Sequence, residues 1–168
     1  MIIHNQGDLF EYSHQAYAHG VNNLGWMGNG IAVRFKKDYP EMFKNYKTLC
    51  HKNELKPGDC LFYESNEEDF PSVFNLVTQD NIFQAQDEFL NKSIKEMYIT
   101  ATREGITDIA MPRISCGLGN LHIDDLVRNL APFIEDSKHH VTIYAKSNIQ
   151  GLSDYTTFGK YSPRPSKN

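Results

Sequence analysis

The stretch Ala18 to Phe35, AHGVNNLGWMGNGIAVRF, constrains the fold more than any other part of the chain. An apolar strand from Tyr17 to Val21 leads into a polar, glycine-rich loop from Asn22 to Gly30. A helix start, Ile31-Ala32-Val33, follows. Gly25, Gly28 and Gly30 allow positive φ and let a ligand come close to the main chain. The amides of such a loop, with those of the helix start behind it, point outward unpaired and form a site for phosphate or pyrophosphate. A plain strand-to-helix turn would use the same glycines, and a short glycine motif does not separate the two.

The rest of the chain repeats this alternation. Met1 to His4 reads as a first strand. Ile31 to Lys37 reads as a short helix, and Pro40 opens another whose apolar stripe is Met42, Phe43, Tyr46, Leu49 and Cys50. Strands are expected over 60–63 and 73–78. Glu88 to Glu104 is a helix with Leu90, Ile94, Met97 and Ala101 on one face and Gly105 as its stop. Thr107 to Met111 is a strand that runs into a second glycine loop, Arg113 to Asn120. An amphipathic helix around Ile123, Leu126, Val127, Leu130 and Ile134 follows, with Pro132 placed to kink or divide it. His140 to Ala145 is the last strand. The polar segment from Asn148 onward reads as a surface tail, so the division is a domain over 1–146 and a tail over 147–168. Strands alternating with helices imply an α/β layered domain with a mostly parallel sheet. Ligands in such folds bind beyond the carboxyl ends of the strands, where both glycine loops lie.

Composition narrows the function. A length of 168 residues fits one domain, and 40% hydrophobic with 12% aromatic residues fits a packed core. The net charge of −4, with lysines and arginines spread along the chain, speaks against non-specific nucleic-acid binding through a basic surface. It leaves a nucleotide ligand open, since amides bind phosphate without formal charge. Cys50, Cys60 and Cys116 form neither a CxxC pair nor a zinc pattern, which suits a reducing, cytoplasmic setting and no metal. The N-terminus lacks signal-peptide character, and no segment approaches the roughly 20 apolar residues of a membrane span. No cofactor is called for, and a monomer is expected.

GDLF near the start, AHGVNNLGWMGNGIAVRFKK and MPRISCGLGNL together resemble the macrodomain family over roughly Met1 to Tyr144. Within it they are most similar to the branch of terminal ADP-ribose protein glycohydrolase and ADP-ribose-1″-phosphate phosphatases. The resemblance implies a three-layer α/β/α fold with a mixed, mostly parallel central sheet, binding ADP-ribose along the strand ends. It places Asp8 as acceptor for the adenine amine, with Leu9 beside it, and Asn22 at the distal ribose. Met27, Gly28, Asn29, Gly30 and Ile31 belong to the first loop. Ser115, Cys116, Gly117, Leu118, Gly119 and Asn120 form the second, and Tyr144 completes the ligand set. From the residues alone, Asp8 equally fits a turn cap.

Two departures bear on chemistry. The glycohydrolase branch carries a nucleophilic lysine after Leu-x-Thr; here Leu76-Val77-Thr78 is followed by Gln79, and an amide forms no adduct with a sugar carbon. The aspartate that follows Gly-Leu in that branch is Gly119 here. The functional expectation is therefore a phosphatase converting ADP-ribose-1″-phosphate to ADP-ribose, with Asn22 and His19 as catalytic groups acting on water. The alternatives are a hydrolase that removes ADP-ribose from protein or nucleic acid without a lysine, and a non-catalytic ADP-ribose reader. As a lone strand histidine, His19 equally fits a packed structural role.

Overall fold

The computed structural model describes residues 1–81, 84–116 and 120–145, and the backbone of 164–165. The strands are β1 (Ile2–Gln6), β2 (Tyr12–Ser13), β3 (Ala16–Asn22), β4 (Cys60–Tyr63), β5 (Ser72–Gln79), β6 (Asp108–Pro112), β7 (His140–Ala145) and β8 (Arg164–Pro165). The helices are α1 (Ile31–Asp38), α2 (Pro40–His51), α3 (Asp87–Glu104), α4 (Ile123–Asn129) and α5 (Ala131–Glu135). Pro132 divides the expected last helix in two. It sits in the first turn of α5, where its missing N–H is not needed.

Six strands form one sheet in the order β1-β7-β6-β3-β5-β4. Every neighbouring pair is parallel except β4 with β5, which is antiparallel. The sheet is thus mixed and mostly parallel, as expected. Alternation along β3 and β5 divides the core into two clusters. Ala16, Ala18, Phe74 and Leu76 pack with α3, α4 and α5 on one face. Tyr17, Val21, Val73 and Val77 pack with α1 and α2 on the other. These are the three layers, helices on both faces of a sheet.

After β3 the chain moves through α1 and α2 to β4 and β5 on one side; after β6 it returns through α4 and α5 to β7 on the other. β3 and β6 are neighbours, so their carboxyl ends mark the point where the connections diverge, the usual binding position in open α/β sheets. At the end of β3 the register shifts: Val21 lies opposite Val77, but Asn22 lies opposite Gln79.

Two short strands were not expected. β8 pairs antiparallel with β2, Tyr12 opposite Pro165 and Ser13 opposite Arg164, in a two-stranded sheet separate from the six-stranded one. Residues 146–163 and 166–168, which hold the rest of the segment read as a tail, lie outside the described residues. No helix among the described residues is long and apolar enough to cross a membrane.

Candidate functional site

A cleft of about 820 Å3 opens at the carboxyl ends of β3, β5 and β6. One wall is the first glycine loop with the start of α1, including Gly28, Asn29, Gly30 and Ile31. The opposite wall is the start of the second loop, Arg113 to Cys116. Thr78 and Gln79 lie between them at the end of β5.

The first loop is held in shape by Asn22. Its side-chain Oδ1 accepts from the Leu24 amide at 3.0 Å and from the Tyr46 hydroxyl at 2.9 Å, while Nδ2 donates to the Trp26 carbonyl at 2.9 Å. The Tyr46 hydroxyl also reaches the Asn22 carbonyl at 2.7 Å. One N–H of the Asn22 amide remains beyond these bonds. Asn22 lines the cleft, so the residue that fixes the loop also faces the open space between the two walls. Gly30 takes φ +60° and ψ −142° immediately before α1, a conformation costly for any residue with a Cβ. Gly28 is needed for a different reason: the Trp26 indole lies against its main chain, and a Cβ there would collide with the ring.

The second loop begins under strain, with Ser115 at φ +66°. The Ser115 Oγ and the Arg113 Nε are buried and have no hydrogen-bond partner among the described residues. The guanidinium of Arg113 makes the local potential positive. It adds to burial in lowering the His4 pKa, and it opposes the burial that raises the Cys116 thiol. Cys116 donates from Sγ to the Ile114 carbonyl at 3.4 Å, and both this bond and burial favour the neutral thiol over the thiolate.

The structure sorts the expected site residues. Asn22, Gly28, Asn29, Gly30, Ile31, Ser115 and Cys116 line the cleft. Met27 is buried beneath the loop. Asp8 is exposed just past the carboxyl end of the edge strand β1, outside the cleft lining, where its Oδ1 caps a single 3-10 turn (Leu9–Glu11) by accepting from the Phe10 amide at 3.0 Å. Leu9 is buried in the core beside it. Asn120 is exposed with φ +61° and is not part of the lining. Gly117, Leu118 and Gly119 lie outside the described residues.

Two expectations need correction. His19 does not reach the cleft. Its side of β3 faces α1, so the imidazole is wholly buried, stacked on Phe35 with ring centres 4.0 Å apart, and its Nε2 is 2.7 Å from the Asn75 Oδ1. A residue so enclosed cannot orient water on a ligand. Tyr144 also turns inward: its hydroxyl is 2.6 Å from the His14 Nε2, and its ring stacks on Tyr12. In turn, the sequence reading missed Trp26, Arg113 and Thr78 as lining residues. Trp26 and Arg113 stand inside the two loops, and that position was the available signal.

Burial of His19 has a consequence for pH. Loss of hydration lowers its pKa to about 4, below the ordinary value of 6.5. The unfolded chain therefore binds a proton that the folded chain does not between these values, so the stabilisation is complete above about 6.5 and is lost as pH falls toward about 4. His4, also lowered by burial, adds in the same sense. Urea midpoints measured across that window are expected to fall, with His19 contributing up to about 1.4 kcal/mol per pH unit. A His19→Gln variant, which has no proton to gain, is expected to show a shallower fall.

An α/β/α sandwich with a cleft between two loops at its switch point defines a class of open α/β module with a binding site beyond its strand ends. The sequence matches the Macro domain family over residues 18–130, and the chain belongs to that family. It is 29% identical over 133 residues to the DNA ADP-ribosyl glycohydrolase of Mycobacterium tuberculosis, an alignment covering 77% of this chain and 38% of that longer protein. It is 27% identical over 146 residues to the ADP-ribose 1″-phosphate phosphatase of Candida albicans, covering 79% of this chain and 94% of that one. Among solved structures, the macrodomain of Mycobacterium tuberculosis DarG superposes with a TM-score of 0.82 at 27% identity, covering 88% of this chain and 99% of that one.

Proposed function

We propose that the cleft binds ADP-ribose and that the protein hydrolyses a substituent at the distal ribose, with release of phosphate from ADP-ribose-1″-phosphate as the first reaction assigned. One observation carries this reading: two buried donors, Arg113 Nε and Ser115 Oγ, stand without partners opposite a loop rich in exposed main chain. Buried donors are ordinarily paired, and an oxygen-rich anion entering the cleft would pair both. The family membership and the Candida albicans relative support the same ligand.

Gln79 stands in the cleft where a lysine would be needed for a covalent adduct, so water is the nucleophile. It attacks phosphorus, the bond from phosphorus to the ribose oxygen breaks, and a proton passes to that oxygen. Asn22 positions the loop and offers its remaining N–H to the ligand. Arg113 and the loop amides stabilise charge that develops on the phosphoryl oxygens.

A calorimetric titration with ADP-ribose, followed by a phosphate assay on ADP-ribose-1″-phosphate, tests this. Binding with phosphate release is expected. Arg113→Ala is expected to weaken binding of the phosphorylated ligand about tenfold or more, the scale of one charge-assisted hydrogen bond at roughly 1.5–3 kcal/mol. Binding without release would overturn the phosphatase assignment, and no binding would overturn the ligand. A second reading, removal of ADP-ribose from a nucleic acid, is favoured by the half-exposed Trp26 on the rim of the cleft.

A further inference from the structure

We propose that a single nucleic-acid strand docks beside the cleft, with a base stacked on Trp26 and its phosphates along Lys44 and Lys47 of α2. The proposal rests on the second reading of the cleft and names the surface that would hold the acceptor. Trp26 is 51% exposed although it is the largest apolar side chain in the protein. One part of its indole lies against the Gly28 main chain, and the rest of the ring is open to solvent. Leu24, also exposed, stands two residues before it on the same loop. Stacking on such a platform tolerates any base, because every base has a π-face.

Charge next to this platform is opposite in sign to that of the chain. The net charge is −4, yet seven of the 17 lysines and arginines fall within residues 34–56 against three acids, a local balance of +4. The spread of cations inferred from the sequence is therefore uneven where it matters. α2 is packed directly under the loop: the Lys47 Cα and Cγ are 3.3 Å from where a Gly25 Cβ would stand, one residue from Trp26. Lys44 lies three residues earlier and shares that face of the helix. Both lysines are exposed, and neither forms an ion pair among the described residues. Aromatic platform and adjoining cations together are the features that hold a single strand; an acidic peptide would use the cations and leave the indole idle.

Trp26 is the only tryptophan, so its fluorescence reports directly on the site. Titration with an oligothymidylate of about 12 nucleotides is expected to quench its emission. The Lys44→Gln, Lys47→Gln double variant is expected to bind the strand at least fivefold more weakly and to flatten the slope of log affinity against log salt by about 1.4, the release from two phosphates. Unchanged emission, or a double variant that binds as the parent does, would overturn the proposal. So would a glutamate oligomer that quenches with equal affinity. Calorimetry with ADP-ribose on the same preparation separates the two levels. Quenching without ADP-ribose binding supports the strand surface and overturns the reading of the cleft; ADP-ribose binding without quenching does the reverse.

Discussion

Asn22→Ala is expected to lower ADP-ribose affinity by about 50-fold or more. The substitution removes three hydrogen bonds at once, those to the Leu24 amide, the Trp26 carbonyl and the Tyr46 hydroxyl. Each contributes on the order of 1 kcal/mol, and the groups left behind are partly enclosed and lose their partner without regaining water. The loop then samples many conformations, and a ligand must select one of them. Tyr46→Phe separates positioning from contact. It removes the hydroxyl that braces Asn22 from behind and leaves the Asn22 amide in place. A loss of about tenfold is expected from one to two bonds at roughly 1 kcal/mol each. If Asn22→Ala binds as the parent does, the loop does not need its brace.

Phe35→Ala is expected to cost about 3–5 kcal/mol of stability, the range for emptying a buried aromatic site. Phe35 has no exposed surface and meets the rings of Phe10, Tyr17, His19 and Tyr39. No single neighbour can move to fill the space, because the four are held on three separate elements: Phe10 on the 3-10 turn, Tyr17 and His19 on β3, and Tyr39 at the end of α1. A loss of that size is a large part of the roughly 5–15 kcal/mol that holds an ordinary domain. Urea unfolding followed by circular dichroism measures it. A cost below about 1 kcal/mol would mean that the aromatic cluster collapses onto the gap.

The layered α/β architecture was legible because strand and helix periodicities alternate cleanly. Pro132 showed where the last helix divides, and glycine spacing showed where both loops stand. Which residues of β3 reach the cleft was not legible. His19 lies in the regular part of β3 beneath α1, whereas Asn22 stands past the register shift at the strand's end, where its side chain meets Tyr46 and lines the cleft. Only the packing of α1 decides that His19 is the covered one. Tyr144 failed as a ligand residue for the same reason, since Tyr12 and His14 come from a distant part of the chain to enclose it. The β2–β8 pairing joins two-residue strands about 150 positions apart, too short to leave a periodic trace. Trp26 stands in the first loop, but that its indole rests over Gly28 and stays half-exposed is a matter of packing that the sequence does not carry.

The register shift at the end of β3 gives position 79 an unusual freedom. Because β5 carries one more residue than its partner there, Gln79 stands beside Asn22 at the cleft instead of continuing the buried run through Thr78. Its side chain supports neither core cluster. A different functional group can therefore be installed at that point by one codon change, while the two walls of the cleft stay as they are. Ligand retention and bond-breaking chemistry are in this way heritable separately, and a chain of this kind can exchange one reaction for another without first losing what it recognises.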